Sequence, residues 1–283
     1  MKDGIILINK PSGMTSRDVV NIISKKMNTR KVGHTGTLDP LATGLMVICI
    51  NKATKLVEML TGHDKEYVAT VKLGVKTDTY DVTGKILEEN NDYHLSKEDL
   101  EKTLESFHKT YWQEVPLYSS VKINGHKLYE YARNNQEVEL PKKEVTIKEI
   151  ELLSQKENTF TFKTIVSKGC YIRSLINDIG NSLNTYATMT ELTRTKQGIV
   201  SLEETNTLED LYNKNITLHN IEDVLDIEVI EVNDFLENKI RSGHRLNNTF
   251  SIKDKVIFKS KSNQLLGIYE VEEDQLKVWK NFI

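Results

Sequence analysis

Asp39 stands in the string Gly33-His34-Thr35-Gly36-Thr37-Leu38-Asp39-Pro40-Leu41-Ala42-Thr43-Gly44, directly before an apolar run from Leu45 to Ile50. The three glycines allow backbone angles that side chains forbid, while Pro40 fixes its own φ and pushes Asp39 out of the helical region. A carboxylate presented in this way can be a nucleophile, a general base or a metal ligand, or can serve the turn alone, since Asp-Pro commonly initiates turns. The metal reading would start from His34 with Asp39, and no third ligand lies near them in sequence. The chain has no P-loop, no dinucleotide fingerprint and no zinc spacing, and its two cysteines, Cys49 and Cys170, form no CxxC pair. Both read as reduced thiols, with Cys49 a small buried hydrophobe.

The elements that must hold this loop are legible from period and caps. Leu45 to Ile50 read as a short buried strand. Thr15-x-x-Asp18 has the form of a capping box, after which Val19, Ile22, Ile23 and Met27 share one helical face. Tyr67, Ala69, Val71 and Leu73 alternate with Val68, Thr70 and Lys72, so Tyr67 begins a strand. Ser96-x-x-Asp99 opens a further helix with Leu100, Leu104 and Phe107 inward. A strand around Phe160 to Val166 leads through Gly169 to a helix whose stripe is Ile172, Leu175, Ile176, Ile179 and Leu183. Arg173 falls in the first turn of that helix, off the stripe, where the macrodipole disfavours a cation and asks for a compensating anion. Residues 201–228 are acidic and carry short helix signals such as Thr207-x-x-Asp210, which suits a helical connector. Beyond it a short helix over Asn233 to Arg241 is followed by strand patterns at Val256-Ile257-Phe258, Leu265 to Val271 and Leu276 to Trp279.

With 283 residues, one or two domains are expected. No apolar run approaches the ~20 residues of a membrane span, and the start lacks a secretory pattern, so a soluble cytoplasmic protein is expected. The net charge of −3 conceals an uneven distribution. Residues 1–60 hold nine Lys and Arg against four Asp and Glu, and residues 163–200 five against two. Residues 201–228 hold one against eight. The basic charge is thus gathered around the Asp39 and Arg173 segments, which suits phosphate binding better than the total does.

The twelve-residue Asp39 string resembles the catalytic loop of the bacterial TruB-type tRNA pseudouridine synthases. Ile8-Asn9-Lys10-Pro11-Ser12-Gly13-Met14-Thr15-Ser16 is similar to the family's N-terminal Lys-Pro segment, Asp64-Lys65-Glu66-Tyr67 to its tyrosine motif, Ser167 to Leu175 to its arginine motif, and Leu192-Thr193-Arg194-Thr195 to a further segment that supplies an apolar contact. The resemblance implies an α+β fold: a mixed, largely antiparallel sheet flanked by helices, with a small C-terminal PUA-like β-barrel. It divides the chain into a catalytic domain at 1–228, with an RNA-clamping insertion at about 115–150 and the acidic connector at about 201–228, and an RNA-binding domain at 229–283. A plain β-rich cap is the alternative for that last part. Near Pro116 the chain is one residue shorter than the family pattern, which usually has two prolines there.

The activity implied is isomerisation of a T-loop uridine, position 55 in tRNA numbering, to pseudouridine. The C1′–N1 bond breaks, the base turns, and C5 is joined instead, so no cofactor and no metal are expected. Asp39 is implied as the catalytic group, attacking covalently or removing a ribose proton, and Arg173 as the cation that holds it charged in an enclosed site. Tyr67 is the expected platform for the extruded uracil, Leu192 and Tyr171 the pocket walls, His34 the residue that occupies or braces the gap left by the extruded nucleotide, and Lys10 local charge or loop support. The expected partner is the tRNA T-arm stem-loop, met by a monomer that needs no protein partner and no membrane. A second reading is a tRNA-folding chaperone whose role is not catalytic. A third keeps the chemistry but takes its target from a guide RNA, and the clamp-like insertion argues against it.

Overall fold

The computed structural model describes residues 3–90, 92–93, 95–213 and 215–283. Its first half runs β1 (Gly4–Lys10), α1 (Ser16–Lys26), β2 (Val32–His34), β3 (Thr43–Ile50), α2 (Val57–Gly62), β4 (Lys65–Leu73), the small pair β5 (Val75–Thr77) and β6 (Ile86–Glu89), and α3 (Lys97–Ser106). It continues through β7 (Thr110–Glu114), β8 (Lys122–Ile123), β9 (His126–Lys127), α4 (Leu128–Arg133), β10 (Lys142–Lys156), β11 (Thr159–Val166), α5 (Ile172–Ser182), β12 (Ala187–Gln197) and β13 (Val200–Ser201). The capping signals act as written: Thr15 and Asp18 form a reciprocal box at α1, and Ser96 caps α3.

Seven strands lie side by side in the order β1-β3-β12-β4-β11-β10-β7, with β2 on β3 and β13 on β12. Neighbours are antiparallel except β3 and β12, which run parallel at Thr43↔Thr193 and Gly44↔Arg194. The contact is so close that a Cβ at residue 44, where φ is +104°, would stand 2.3 Å from the Arg194 carbonyl oxygen, so only glycine fits. One face of the sheet packs on α1, α3 and α5 through Ile6, Ile8, Met46, Ile48, Val71, Phe162, Leu100 and Leu175. β4 and β11 alternate buried and half-exposed residues, whereas β1 and β3 are buried on both sides.

The second face of β1 and β3 is covered by the C-terminal part of the chain. Within 201–213 and 215–228 the chain forms short helical turns, including α6 (Leu208–Tyr212), and bridges back to β1 at Ile8↔Asn206 and Ile5↔His219. The chain then forms a curled sheet from β14 (Glu228–Val232), β15 (Leu246–Asn247), β16 (Lys255–Ser260), β17 (Leu265–Glu272) and β18 (Gln275–Asn281), with α7 (Asp234–Arg241) between the first two. Its order is β14-β16-β17-β18-β15, a half-barrel whose ends do not pair. Ile257, Ile268 and Phe282 from this sheet meet Ile5, Leu7, Val47 and Cys49 in one apolar cluster. Among the described residues, no helix is long and apolar enough to cross a membrane.

The segment expected to form the insertion is divided by the sheet. Residues 115–141 leave it, carrying β8, β9 and α4, but from Lys142 the chain is already in β10, paired with β7 and then β11. The β-propensity of Val145-Thr146-Ile147 and its burial on α3 place the return earlier than residue 150.

Candidate active site

The Asp39 loop is clamped from beneath. Lys10 at the end of β1 is fully buried, and its ammonium donates to the carbonyls of Pro11 (2.8 Å), Met14 (2.8 Å) and Pro40 (3.2 Å). Burial lowers its pKa to about 8, opposed by the nearby Asp39 charge. Ser16, the first residue of α1, donates its hydroxyl to the Leu38 carbonyl and accepts from the Leu38 N–H at 2.8 Å. The Ala42 N–H donates to the Asp39 carbonyl at 3.1 Å, closing the turn that the Asp-Pro pair initiates.

Arg173 reaches this carboxylate from the first turn of α5. Its Nε and Nη2 donate to Asp39 Oδ2 and Oδ1 at 2.8 and 2.9 Å, a bidentate fork. Nη1 donates to the Thr79 carbonyl at 2.9 Å, and Nη2 also to the Tyr118 carbonyl at 3.1 Å. The arginine side chain is 6% exposed and that of Asp39 32%, so the pair lies at a wall with one side open. A second carboxylate, Asp81, stands 3.9 Å from Nε. Its Oδ1 accepts from the Thr79 and Thr83 hydroxyls and the Thr83 N–H, which fixes it in a turn where Tyr80 takes φ +60°. That conformation is costly for a bulky side chain, and it directs both the Thr79 carbonyl and Asp81 toward Arg173.

A cavity of about 460 Å³ opens over the pair, lined by Asp39, Arg173, Tyr67, Tyr171, Leu192 and Arg194 among others. Tyr67 lies directly opposite Arg194 on paired strands. Burial raises the pKa of its phenol, and the adjacent guanidinium of Arg194 opposes the rise. Tyr118, Ser119, Ser120 and Tyr129 bring residues of the excursion at 115–141 to the same cavity, while Lys65, Lys143 and Lys168 add positive charge. Burial lowers the Lys65 pKa to about 8, with Arg194 adding to the effect.

Five of the residues singled out from sequence therefore meet around one cavity: Asp39, Tyr67, Tyr171, Arg173 and Leu192. Lys10 does not line it; its ammonium ties the carbonyls of Pro11, Met14 and Pro40 together beneath the loop. His34 does not line it either; it lies half-buried on β2, its Nδ1 accepting from the Gly36 N–H at 3.3 Å, and burial lowers its pKa. Among the described residues, no cluster of three or more His, Cys, Asp or Glu is placed to hold a metal ion. Sequence reasoning missed Asp81, whose Thr-Tyr-Asp context carries no signal, and Tyr118, which acts through its carbonyl. Lys65 and Arg194 lie within motif segments, and the sequence assigns neither of them a part.

Two sequence models of known families match the chain. That of the TruB family pseudouridylate synthase N-terminal domain covers residues 24–172, and that of the tRNA pseudouridylate synthase B C-terminal domain covers residues 173–237. A protein named tRNA pseudouridine synthase B from Fusobacterium nucleatum is 53% identical over 201 residues, covering 71% of this chain and 70% of that one. Its namesake from Mesoplasma florum is 38% identical over 273 residues, covering 96% and 94%. A solved structure of a Cbf5-Nop10-Gar1 complex contains a chain of similar fold, with TM-score 0.73 and 24% identity over 99% of this chain and 85% of that one. A structure of an H/ACA RNP bound to a substrate RNA containing 2′-deoxyuridine gives the same TM-score at 23% identity over the same shares of the two chains.

Proposed function

The chain belongs to the TruB family of pseudouridylate synthases and isomerises a uridine of tRNA to pseudouridine, and we propose that this uridine is the T-loop residue at position 55 and that Asp39 is the catalytic group. The observation that carries the assignment is the bidentate Asp39–Arg173 pair, set in the wall of a cavity with Tyr67 beside it. Both carboxylate oxygens are oriented by the fork, and the open side of Asp39 faces the space where a ribose would lie. An enclosed pocket of this size admits a nucleotide only after it has left its stack, so the base must be flipped.

In the bound state Asp39 attacks C1′ or takes a proton from C2′, and in either case the C1′–N1 bond breaks with its electron pair on the base. The base turns in place between Tyr67 and Leu192, C5 bonds to C1′, and the Tyr67 hydroxyl handles the C5 proton. Tyr171 closes the pocket beside Arg173, and Lys10 keeps the Asp39 turn in place. His34, off the cavity on β2, braces the loop that faces the space left by the extruded base. Lys143 and Lys168 meet the phosphates, and the excursion at 115–141 clamps the stem-loop directly, which suits an enzyme that works alone as a monomer. We assign residues 229–283 to RNA binding as a PUA-type unit. A protein that only refolded tRNA would have no use for a carboxylate held by a buried arginine in such a cavity.

Tritium release from C5-labelled uridine in a T-arm stem-loop tests the reading without added metal or cofactor. Wild type releases the label, and Asp39→Asn releases none while binding the stem-loop within severalfold of wild type. Release by Asp39→Asn at the wild-type rate would remove Asp39 from the chemistry.

A further inference from the structure

The site holds two buried arginines, and only one has an anion. Arg194 is 1% exposed, its Nε donates to the Leu45 carbonyl at 2.6 Å and its Nη2 to the Gly36 carbonyl at 3.2 Å. Nη1 is itself buried and has no partner at hydrogen-bonding geometry, the guanidinium otherwise lies against the Tyr67 hydroxyl, and no carboxylate pairs with it among the described residues. A buried charge left in that condition is costly and calls for a counter-charge. Lys65, buried on the same cavity wall, adds a second cation and makes the need greater.

The reaction supplies an anion at the right moment. When the C1′–N1 bond breaks, its electron pair stays on N1, and conjugation spreads the charge over O2 and O4 of the ring. If Asp39 bonds to C1′ it becomes a neutral ester; if it takes the C2′ proton it becomes a neutral acid. On either route one negative charge leaves Asp39 and appears on uracil, and it returns when C5 bonds to C1′ as the Asp39–C1′ bond breaks, or as the Asp39 acid gives its proton back to C2′; the proton on C5 then moves to N1. The charge therefore travels away from Arg173, and a preorganised donor at its destination would stabilise the detached ring.

We propose that Arg194 is that donor, with Nη1 binding the detached uracil anion; this rests on the isomerase activity above. Three features support the geometry. Arg194 lies opposite Tyr67 on paired strands, so it borders the stacking platform for the base. Two backbone carbonyls hold its other nitrogens, so Nη1 is fixed in direction on the side of the guanidinium where the Tyr67 hydroxyl lies and no anion stands. Gly36 lies next to it: a Cβ built there would stand 3.1 Å from Nη1 and 3.4 Å from Lys65 Cε. A phosphate is the other anion that could occupy the position, and the test separates the two.

T-arm stem-loops carrying uridine or 5-fluorouridine at the target are compared in single turnover, with loss of the N-linked nucleoside read by chromatography, because C5-joined fluorouracil has no C5 proton to lose and instead takes up water across its C6=N1 bond. Fluorine draws charge from the ring and makes the detached base a weaker one that needs less help. Arg194→Met is expected to slow uridine about 100-fold or more, the usual loss of one oxyanion donor, and fluorouridine no more than about 10-fold. Gly36→Ala, which sets a methyl against Nη1 and leaves the arginine in place, shifts the ratio in the same direction by a smaller amount. Equal slowing on both substrates overturns the proposal. So does a loss confined to RNA affinity with the salt slope reduced by about one, which would put a phosphate on Nη1. If circular dichroism shows Arg194→Met unfolded, Arg194→Lys and Gly36→Ala decide by the same ratio. Failure of the wild type to convert uridine would instead strike the isomerase reading itself.

Discussion

Arg173→Met removes the guanidinium that organises the site while nearly keeping its volume, so what it deletes is charge and hydrogen bonding and not packing. The side chain makes four hydrogen bonds: two to Asp39, one to the Thr79 carbonyl and one to the Tyr118 carbonyl. Breaking a buried pair by removing one partner costs about 3–5 kcal/mol when the other charge stays dry. Asp39 is 32% exposed and recovers part of its hydration, which brings the expected destabilisation to about 2–3 kcal/mol. For a chain of this size that lowers Tm by about 4–12 °C. The effect on turnover is larger, because Asp39 loses the fork that orients both of its oxygens, and a misplacement of about 1 Å costs about 100-fold. Thermal unfolding by circular dichroism measures the first quantity, and single-turnover tritium release measured well below the variant's own Tm gives the second. A variant that kept its Tm and reacted within about threefold of wild type would show that the pair neither holds the fold nor places Asp39.

Tyr67→Leu is expected to lower turnover at least about 100-fold in the same assay while folding normally, because stacking and proton handling are lost together and an apolar side chain still fills the space. Wild-type rates would return Tyr67 to a purely structural part. Asp178, on the far side of α5, has its pKa raised to about 6 by burial, against a hydrogen bond from Tyr111 that favours the charged form. Its folded pKa lies above the unfolded value of 3.8, so its contribution is fully present below pH 3.8 and is lost as pH rises to about 6. The shift bounds that contribution at about 3 kcal/mol, and partial exposure reduces it to about 1–2 kcal/mol. Asp178→Asn should therefore raise Tm relative to wild type at pH 7 and lose that advantage at pH 4. An equal difference at both pH values would contradict this.

The parts of the fold that obey local rules are readable in the sequence. Thr15 with Asp18 and Ser96 with Asp99 mark helix starts because their side chains satisfy the first free N–H groups of the helix nearest to them. The alternation after Tyr67 marks a strand because one face of β4 is buried. Even Arg173 announces a need for an anion from its place in a helix's first turn, and the structure supplies Asp39 and Asp81. What could not be read depends on distant parts of the chain meeting. Asp81 and Arg194 lack any local feature that separates them from surface charges, and each acquires meaning only through α5 or β3. The return of the chain into the sheet at Lys142 and the half-barrel of short strands near the C-terminus are likewise set by pairing partners, with β14 and β15 too brief to show a pattern.

The parallel seam between β3 and β12 has a consequence for how the protein is made. Gly44 and Arg194 touch backbone to backbone although 150 positions separate them, and β12 is inserted between β3 and β4, which precede it by more than a hundred residues. A growing chain on the ribosome holds Asp39 long before it holds Arg173, Leu192 or Arg194, so the early segments wait with an open slot in their sheet. No shortened product that stops before β12 can possess the cavity, and a cut anywhere between β4 and α5 leaves the carboxylate and its arginine on different fragments. Catalytic competence is thus withheld until nearly the entire sheet has been synthesised, and two such fragments regain it only by finding each other again.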